Sequence, residues 1–294
     1  MNFFQKFFGK ENKSNQPIAN TNMGQAVSRS QPQRAPLPPG LHVSKKTDVG
    51  QQREKNEDAL YTITSFIHSD QRVEPFGVFI VADGMGGYKG GEKASAIAIK
   101  AAASHILKYL YLPDLRLDAE EEAAVPLNEV LVSAVNIANT TVLNTVPESG
   151  TTLTIAVVID HQAYFAHVGD SRAYIYCEGK LQQVTQDHSL VARMVELGQV
   201  TAEEALTHQH RNVLYRAVGQ TNTVEVELYF HNLPPQSYLL ICSDGLWGLV
   251  PDEAISQILA SATSLDDGVN KLIEMANHNG GDDNITAILV NVGA

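Results

Sequence analysis

Apolar residues fall along this chain in short runs of strand length and in longer runs at helical spacing, separated by Gly, Pro, Asn and Asp. Strands are predicted at Leu41–Val49, Ala59–Ile67 and Phe76–Ala82, the last apolar on both faces and so expected to be covered on both sides. A long helix follows over Gly91–Leu112, then an acidic connection over Pro113–Val125 and a second helix over Pro126–Leu143. Strand pattern returns at Thr152–Ile159, Gln162–Val168 and Ala173–Cys177, with turns at Asp160-His161 and Glu178-Gly179. Asp187-His188-Ser189 caps a helix over Leu190–Leu197 that stops at Gly198, and the polar stretch Gln199–Asn212 reads as a surface insertion. Strands Val224–Phe230 and Tyr238–Cys242, helices Pro251–Ala260 and Leu265–Asn277, and a last strand Ile285–Val292 close the chain. Strands and helices come in blocks rather than in strict alternation, so the class is α+β.

Residues 1–40 break the pattern. Asn, Gln, Ser and Pro dominate from Glu11 to Gly40, a composition that cannot bury a core, and the stretch is expected to be a disordered tail. Within its first ten residues, Phe3, Phe4, Phe7 and Phe8 share one helical face with Lys6 and Lys10 near its edge. A short helix there would suit a membrane surface or a docking partner. A disordered terminus accounts for it as well and is the reading adopted.

Five carboxylates stand where predicted strands stop or start. Asp83, Asp170 and Asp244 follow apolar runs, and Asp58 and Asp283 precede them. Each alone is an ordinary turn or strand-end acid. In an antiparallel sheet the end of one strand lies beside the start of the next, so all five can meet on one rim of one sheet. Close carboxylates repel, and such a rim is tolerable mainly if cations sit in it. The pattern points to a divalent-metal site made of oxygen ligands.

Charge sharpens this reading. The formal net charge is −12, and setting aside the tail's five basic residues and one acid leaves −16 for residues 41–294. So acidic a body is a poor nucleic-acid binder and suits cation capture. The two cysteines, Cys177 and Cys242, suggest a reducing compartment and read as core residues. No apolar run is long enough to span a membrane and the start lacks an unbroken signal-peptide core, so a cytoplasmic location is expected; the chain is also expected to be a monomer.

Other chemistries fail on spacing. Counting G-x-G-x-x-G from Gly84 and Gly86 lands on Lys89, and Gly91 is followed by Glu92 where a Walker A motif needs Lys. Gln183 and Gly248 stand where a cysteine phosphatase would need Arg. G-x-S-x-G is absent, as are H-E-x-x-H and zinc spacings. What remains is hard-cation chemistry with Mg²⁺ or Mn²⁺, two of which can activate water and hold phosphoryl oxygens. Arg53, five residues before Asp58, is the natural partner for a phosphate.

The ordered set Arg53-x-x-Asn56-Glu57-Asp58, Asp83-Gly84-Met85-Gly86-Gly87, Gly150-Thr151-Thr152, Val168-Gly169-Asp170-Ser171-Arg172-Ala173, Ser243-Asp244-Gly245 and Asp283-Asn284-x-Thr286 resembles the successive motifs of PP2C-type (PPM) serine/threonine phosphatases. The match covers about residues 41–294, and residues 187–220 resemble the flap segment of bacterial members, including Asn212-x-Leu214-x-Arg216-Ala217-x-Gly219. The resemblance implies a central β-sandwich of two antiparallel sheets flanked by helices on both faces. It implies that Asp83, Asp244 and Asp283 hold one metal, and that Asp83, the Gly84 carbonyl and Glu57 or Asp58 hold another. Asp170 with Asp244 would hold a third, and Arg53 would bind the phosphate of phosphoserine or phosphothreonine in substrates of a Ser/Thr kinase. Met85 stands where animal members often have a proton-donating His, which leaves a water on the third metal as the candidate acid. A catalytically dead phosphoprotein-binding relative would lack one or more of the acids, and none is missing. The Asn-His-Glu metallophosphatase class would need a Gly-Asn-His that this chain does not have.

Overall fold

The computed structural model describes residues 40–69, 72–86, 90–115, 125–206 and 208–293. The expected tail, with its Phe face, lies outside the described residues apart from Gly40.

Strands β1 (Leu41–Asp48), β2 (Asp58–Ser69) and β3 (Arg72–Gly86) lead into helix α1 (Gly91–Ile106). A π-helical turn (Leu107–Tyr111) continues α1 into α2 (Leu112–Asp114), and α3 spans Leu127–Thr145. Then come β4 (Ser149–Thr151), β5 (Leu153–Ile159), β6 (Gln162–Val168), β7 (Arg172–Cys177) and β8 (Lys180–Gln183). Helices α4 (Leu190–Glu196) and α5 (Ala202–Leu206) precede β9 (Glu227–Asn232) and β10 (Tyr238–Cys242). The chain closes with α6 (Asp244–Trp247), α7 (Asp252–Ser261), α8 (Leu265–His278) and β11 (Ile285–Val292).

The strands form two antiparallel sheets, ordered β1-β11-β10-β7-β8 and β2-β3-β5-β6-β9, with β4 added to the end of β3. Period-two alternation distributes their apolar residues over three cores. Val78, Ile80 and Ala82 of β3 face α1 and α3, while Phe79 and Val81 face the other sheet. In β11, Ile285, Ala287 and Leu289 pack under α7 and α8, and Ile288, Val290 and Val292 fill the space between the sheets. The result is the expected α-β-β-α sandwich. Strands buried on both faces explain why β3, β5, β10 and β11 read as continuous apolar runs.

Several boundaries differ from the sequence reading. The strand expected to end at Ala82 runs on to Gly86: Gly84, Met85 and Gly86 pair with Thr151, Gly150 and Ser149. Glycine is needed at position 84 for close approach rather than for turning, because a Cβ there would lie 2.2 Å from the Gly91 carbonyl oxygen. The expected surface insertion contains α5, started by a capping box in which Glu204 N donates to Thr201 Oγ1 (3.1 Å) and Thr201 N to Glu204 Oε2 (2.8 Å). The strand expected at Val224–Phe230 begins at Glu227, because Val224 and Val226 pack against the helix-side core without joining the ladder. Cys242 is buried, but Cys177 is half-buried at the end of β7, opposite Lys180.

Candidate active site

The five acids meet, although on the rim of the sandwich rather than of one sheet. Asp58 and Asp83 are direct partners across β2 and β3 in one sheet. Asp244 follows β10 and Asp283 precedes β11, neighbours in the other. Asp170 lies in the link from β6 to β7, where the chain passes between sheets.

Local bonding fixes each acid. Asp83 N donates to Thr152 Oγ1 (2.9 Å), and its carbonyl accepts from Thr151 Oγ1 (2.8 Å) and Thr152 N (2.9 Å). Gly84 N donates to the Glu57 carbonyl at 3.1 Å, which also accepts from Ser95 Oγ at 2.6 Å. Asp58 Oδ2 accepts from Ser243 Oγ at 2.7 Å, and Ser243 Oγ accepts from Thr286 N at 2.9 Å. Asn284 braces the loop that carries Arg53 and Glu57. Its Oδ1 accepts from Glu57 N (2.7 Å), and its Nδ2 donates to the carbonyls of Val49 (3.0 Å) and Lys55 (2.8 Å). Arg53, half-exposed, donates from Nη2 to Asp283 Oδ2 at 2.7 Å. The neighbouring Asp282 is exposed and faces Arg211 at 3.7 Å, so the two adjacent acids point to different partners.

Burial is the largest influence on the carboxyls of Asp58, Asp83, Asp170 and Asp244 and raises all four. It lifts Asp58 to about 7, with the Asp244 and Asp283 charges adding and the Thr286 and Ser243 hydroxyls opposing. Asp244 rises to about 6, helped by Asp283. Asp83 is held well above the carboxylate range by burial and then by Asp58, Asp244, Asp170 and Asp283. Asp170 is held up by burial, Asp244 and Asp187. Asp244 repels Asp58, Asp83 and Asp170 alike, so these four carboxyls are linked through it. Among the described residues, no three acidic, imidazole or thiol side chains stand close enough together to hold one ion as they are placed.

Cations fit this donor set. Asp58 Oδ1 and Asp244 Oδ1 are buried without a hydrogen-bond partner, an arrangement costly for any oxygen that binds nothing. The donors are oxygens throughout, the preference of Mg²⁺ and Mn²⁺. Of the residues named from sequence, Arg53, Asp58, Asp83, Asp170, Asp244 and Asp283 are brought together, with the Glu57 and Gly84 backbones bonded beside them. Ser243, Thr152 and Asn284 had been quoted only as motif members. Their bracing roles depend on partners between 41 and 235 residues away along the chain, which no local pattern reveals.

Fold and site together define a class, a four-layer sandwich whose rim gathers oxygen donors for hard cations. The family model described as protein phosphatase 2C matches residues 51–289, and the chain belongs to that family. It is 35% identical over 253 residues to the serine/threonine phosphatase stp of Listeria welshimeri, covering 85% of this chain and 95% of that one. The structure of the S. agalactiae serine/threonine phosphatase superposes with a TM-score of 0.71 at 32% identity, covering 86% of this chain and 99% of that one. The catalytic domain of the phosphatase PstP in complex with two manganese ions gives a TM-score of 0.69 at 29% identity, over 86% of this chain and 99% of its own.

Proposed function

We propose that this phosphatase hydrolyses phosphoserine and phosphothreonine in proteins, with divalent ions held by the acidic rim and Arg53 holding the phosphate. The reading rests above all on the buried carboxylate cluster, with its two oxygens that lack partners, beside a guanidinium. Asp83, Asp244 and Asp283 would hold one ion, and Asp83, the Gly84 carbonyl and Glu57 or Asp58 a second. Asp170 with Asp244 would hold a third. Bound there, Mg²⁺ or Mn²⁺ supplies Lewis acidity and an acidified water for in-line attack at phosphorus.

The chain's own residues do the rest. Arg53 presents a planar fork of donors of which Nη2 reaches Asp283, leaving further N–H groups of the fork to pair with phosphoryl oxygens. Asn284 and Ser243 keep the Arg53–Asp58 loop and the Asp58 carboxyl in register with the second sheet. The printed names of stp and of the S. agalactiae enzyme support serine/threonine specificity.

Hydrolysis of a phosphothreonine peptide should require Mn²⁺ or Mg²⁺ and stop on chelation. Asp83→Ala and Asp244→Ala should lose calorimetrically measured metal binding and turnover together. Full turnover by either variant would remove the metal centre from the mechanism.

A further inference from the structure

Behind Asp170 lies a side chain the chemistry above does not use. His188 is fully buried and precedes Ser189, whose hydroxyl caps α4. Its backbone N–H donates to the Gly169 carbonyl at 2.8 Å, and its ring Nδ1 accepts from Gly169 N at 3.0 Å. One residue therefore grips both backbone polar groups of Gly169, the residue before Asp170. Two more carbonyls of this turn are held too: Trp247 Nε1 donates to the Asp170 carbonyl (3.0 Å), and Thr154 Oγ1 to the Ser171 carbonyl (3.0 Å). Gly169 is at φ +113°, and a Cβ there would come within 2.6 Å of Thr152, so the turn cannot be built with another residue.

The ring's proton is fixed by this geometry. Nδ1 uses its lone pair on Gly169, so a neutral imidazole carries its proton on Nε2, 3.2 Å from Glu227 Oε1. Burial, and then the Arg216 charge, push His188 toward the neutral form. Arg216 Nη1 lies 3.0 Å from the same Nε2, but two N–H groups cannot bond each other. Arg216 is served instead by Glu225, and by Glu227 Oε1 at 3.3 Å. Glu227 thus accepts from both His188 and Arg216, joining β9 to the end of the 187–220 segment.

We infer that His188 is a positioning residue for Asp170: it holds the Gly169 N–H through Nδ1 and ties it through Nε2 to Glu227 at the edge of the sheet. The inference rests on the proposed metal-dependent reaction, in which Asp170 is a ligand. A second-sphere hydrogen bond of this kind commonly sets ligand orientation, and its loss costs roughly 10–100-fold in metal affinity or activity.

Asn and Gln separate the two ring nitrogens. His188→Asn puts an amide oxygen near the Nδ1 position and keeps an acceptor for Gly169. His188→Gln reaches toward Glu227 but leaves Gly169 N without its acceptor. Manganese calorimetry, kinetics on a phosphothreonine peptide and thermal melting would be measured on both variants and the wild type. We expect His188→Gln to lose roughly tenfold in kcat with KM within about twofold, and to weaken only the most weakly held manganese. His188→Asn should recover most of that loss. Equal loss in both variants, or wild-type kcat and manganese binding in His188→Gln, would overturn the assignment. If His188→Gln does not fold, Glu227→Ala cuts the far end of the link and should lower kcat a few-fold at unchanged KM; wild-type kcat in it would overturn the assignment equally. A wild-type chain without manganese-dependent hydrolysis would instead sink the parent reading, and this one with it.

Discussion

At the scale of the residue, the site turns on one guanidinium in a field of acids. Arg53 bonds Asp283, and the Asp283, Glu57 and Asp244 charges together raise its pKa against the opposing pull of burial. It therefore stays a cation whatever the rim does. Residues 41–294 carry a net −16, so under the proposed reading an incoming phosphate would be met by local positive charge, from the ions and from this side chain. Arg53→Ala should lower kcat/KM on a phosphothreonine peptide by the roughly 1.5–3 kcal/mol of a charged hydrogen bond, about one to two decades. Inhibition by inorganic phosphate should weaken in parallel. Arg53→Lys should recover part of the loss, because a point charge replaces the fork without matching two phosphoryl oxygens at once. An unchanged phosphate inhibition constant in Arg53→Ala would take this residue out of the site.

At the scale of the element, the rim exists because strands from two sheets end together, and here the sequence was legible in part. Runs such as Gln162–Val168, Tyr238–Cys242 and Ile285–Val292 matched the strands residue for residue, since each is apolar and bounded by turn signals. The five acids were visible as strand-boundary carboxylates. That they come from two sheets was not, because which strands pair is decided by packing between residues far apart in the chain. β4 and α6 were missed for a related reason: Ser149–Thr151 and Asp244–Trp247 are too short to show a period, β4 existing by its pairing with β3 and α6 being a single turn opened at Ser243. Convergence has a thermodynamic consequence. In the metal-free protein Asp58 titrates near 7 and Asp244 near 6, against an unfolded value of 3.8. Between roughly pH 4 and 7 the folded state thus holds protons at these sites that the unfolded chain has released, so their contribution to stability falls as pH rises. Metal-free Asp58→Asn/Asp244→Asn should therefore gain in Tm relative to wild type as pH is raised from 4 to 7. Stabilisation of the wild type by Mn²⁺ should grow over the same window, as the ion displaces those protons. Parallel melting curves for the two proteins would show that these carboxyls are not perturbed.

At the scale of the whole molecule, the acidic rim and the N-terminal attachment lie at opposite ends of β1. Asp48 pairs with Ile285 beside the rim, whereas Leu41 pairs with Val292 at the other end of the same ladder. Seven residue steps of about 3.3 Å put the point where the tail joins roughly 23 Å from the acids. Gly40 belongs to the body, because its carbonyl accepts from Gly293 N at 2.8 Å, which moves the useful boundary one residue before the one expected from composition. All the chemistry-bearing residues lie beyond it, and the tail's +4 charge is opposite in sign to the body that follows. We propose that residues 1–39 address the enzyme without entering its reaction. Removing residues 1–39 should leave kcat/KM on p-nitrophenyl phosphate within about twofold, with an unchanged midpoint for Mn²⁺ activation. It should also leave Tm unchanged, since the β1–β11 ladder stays whole. If the Phe3, Phe4, Phe7 and Phe8 face binds lipid, the same truncation abolishes sedimentation with anionic vesicles while hydrolysis in solution persists. A fall in small-substrate turnover with Tm preserved would show instead that the tail folds back across those 23 Å to reach the acids.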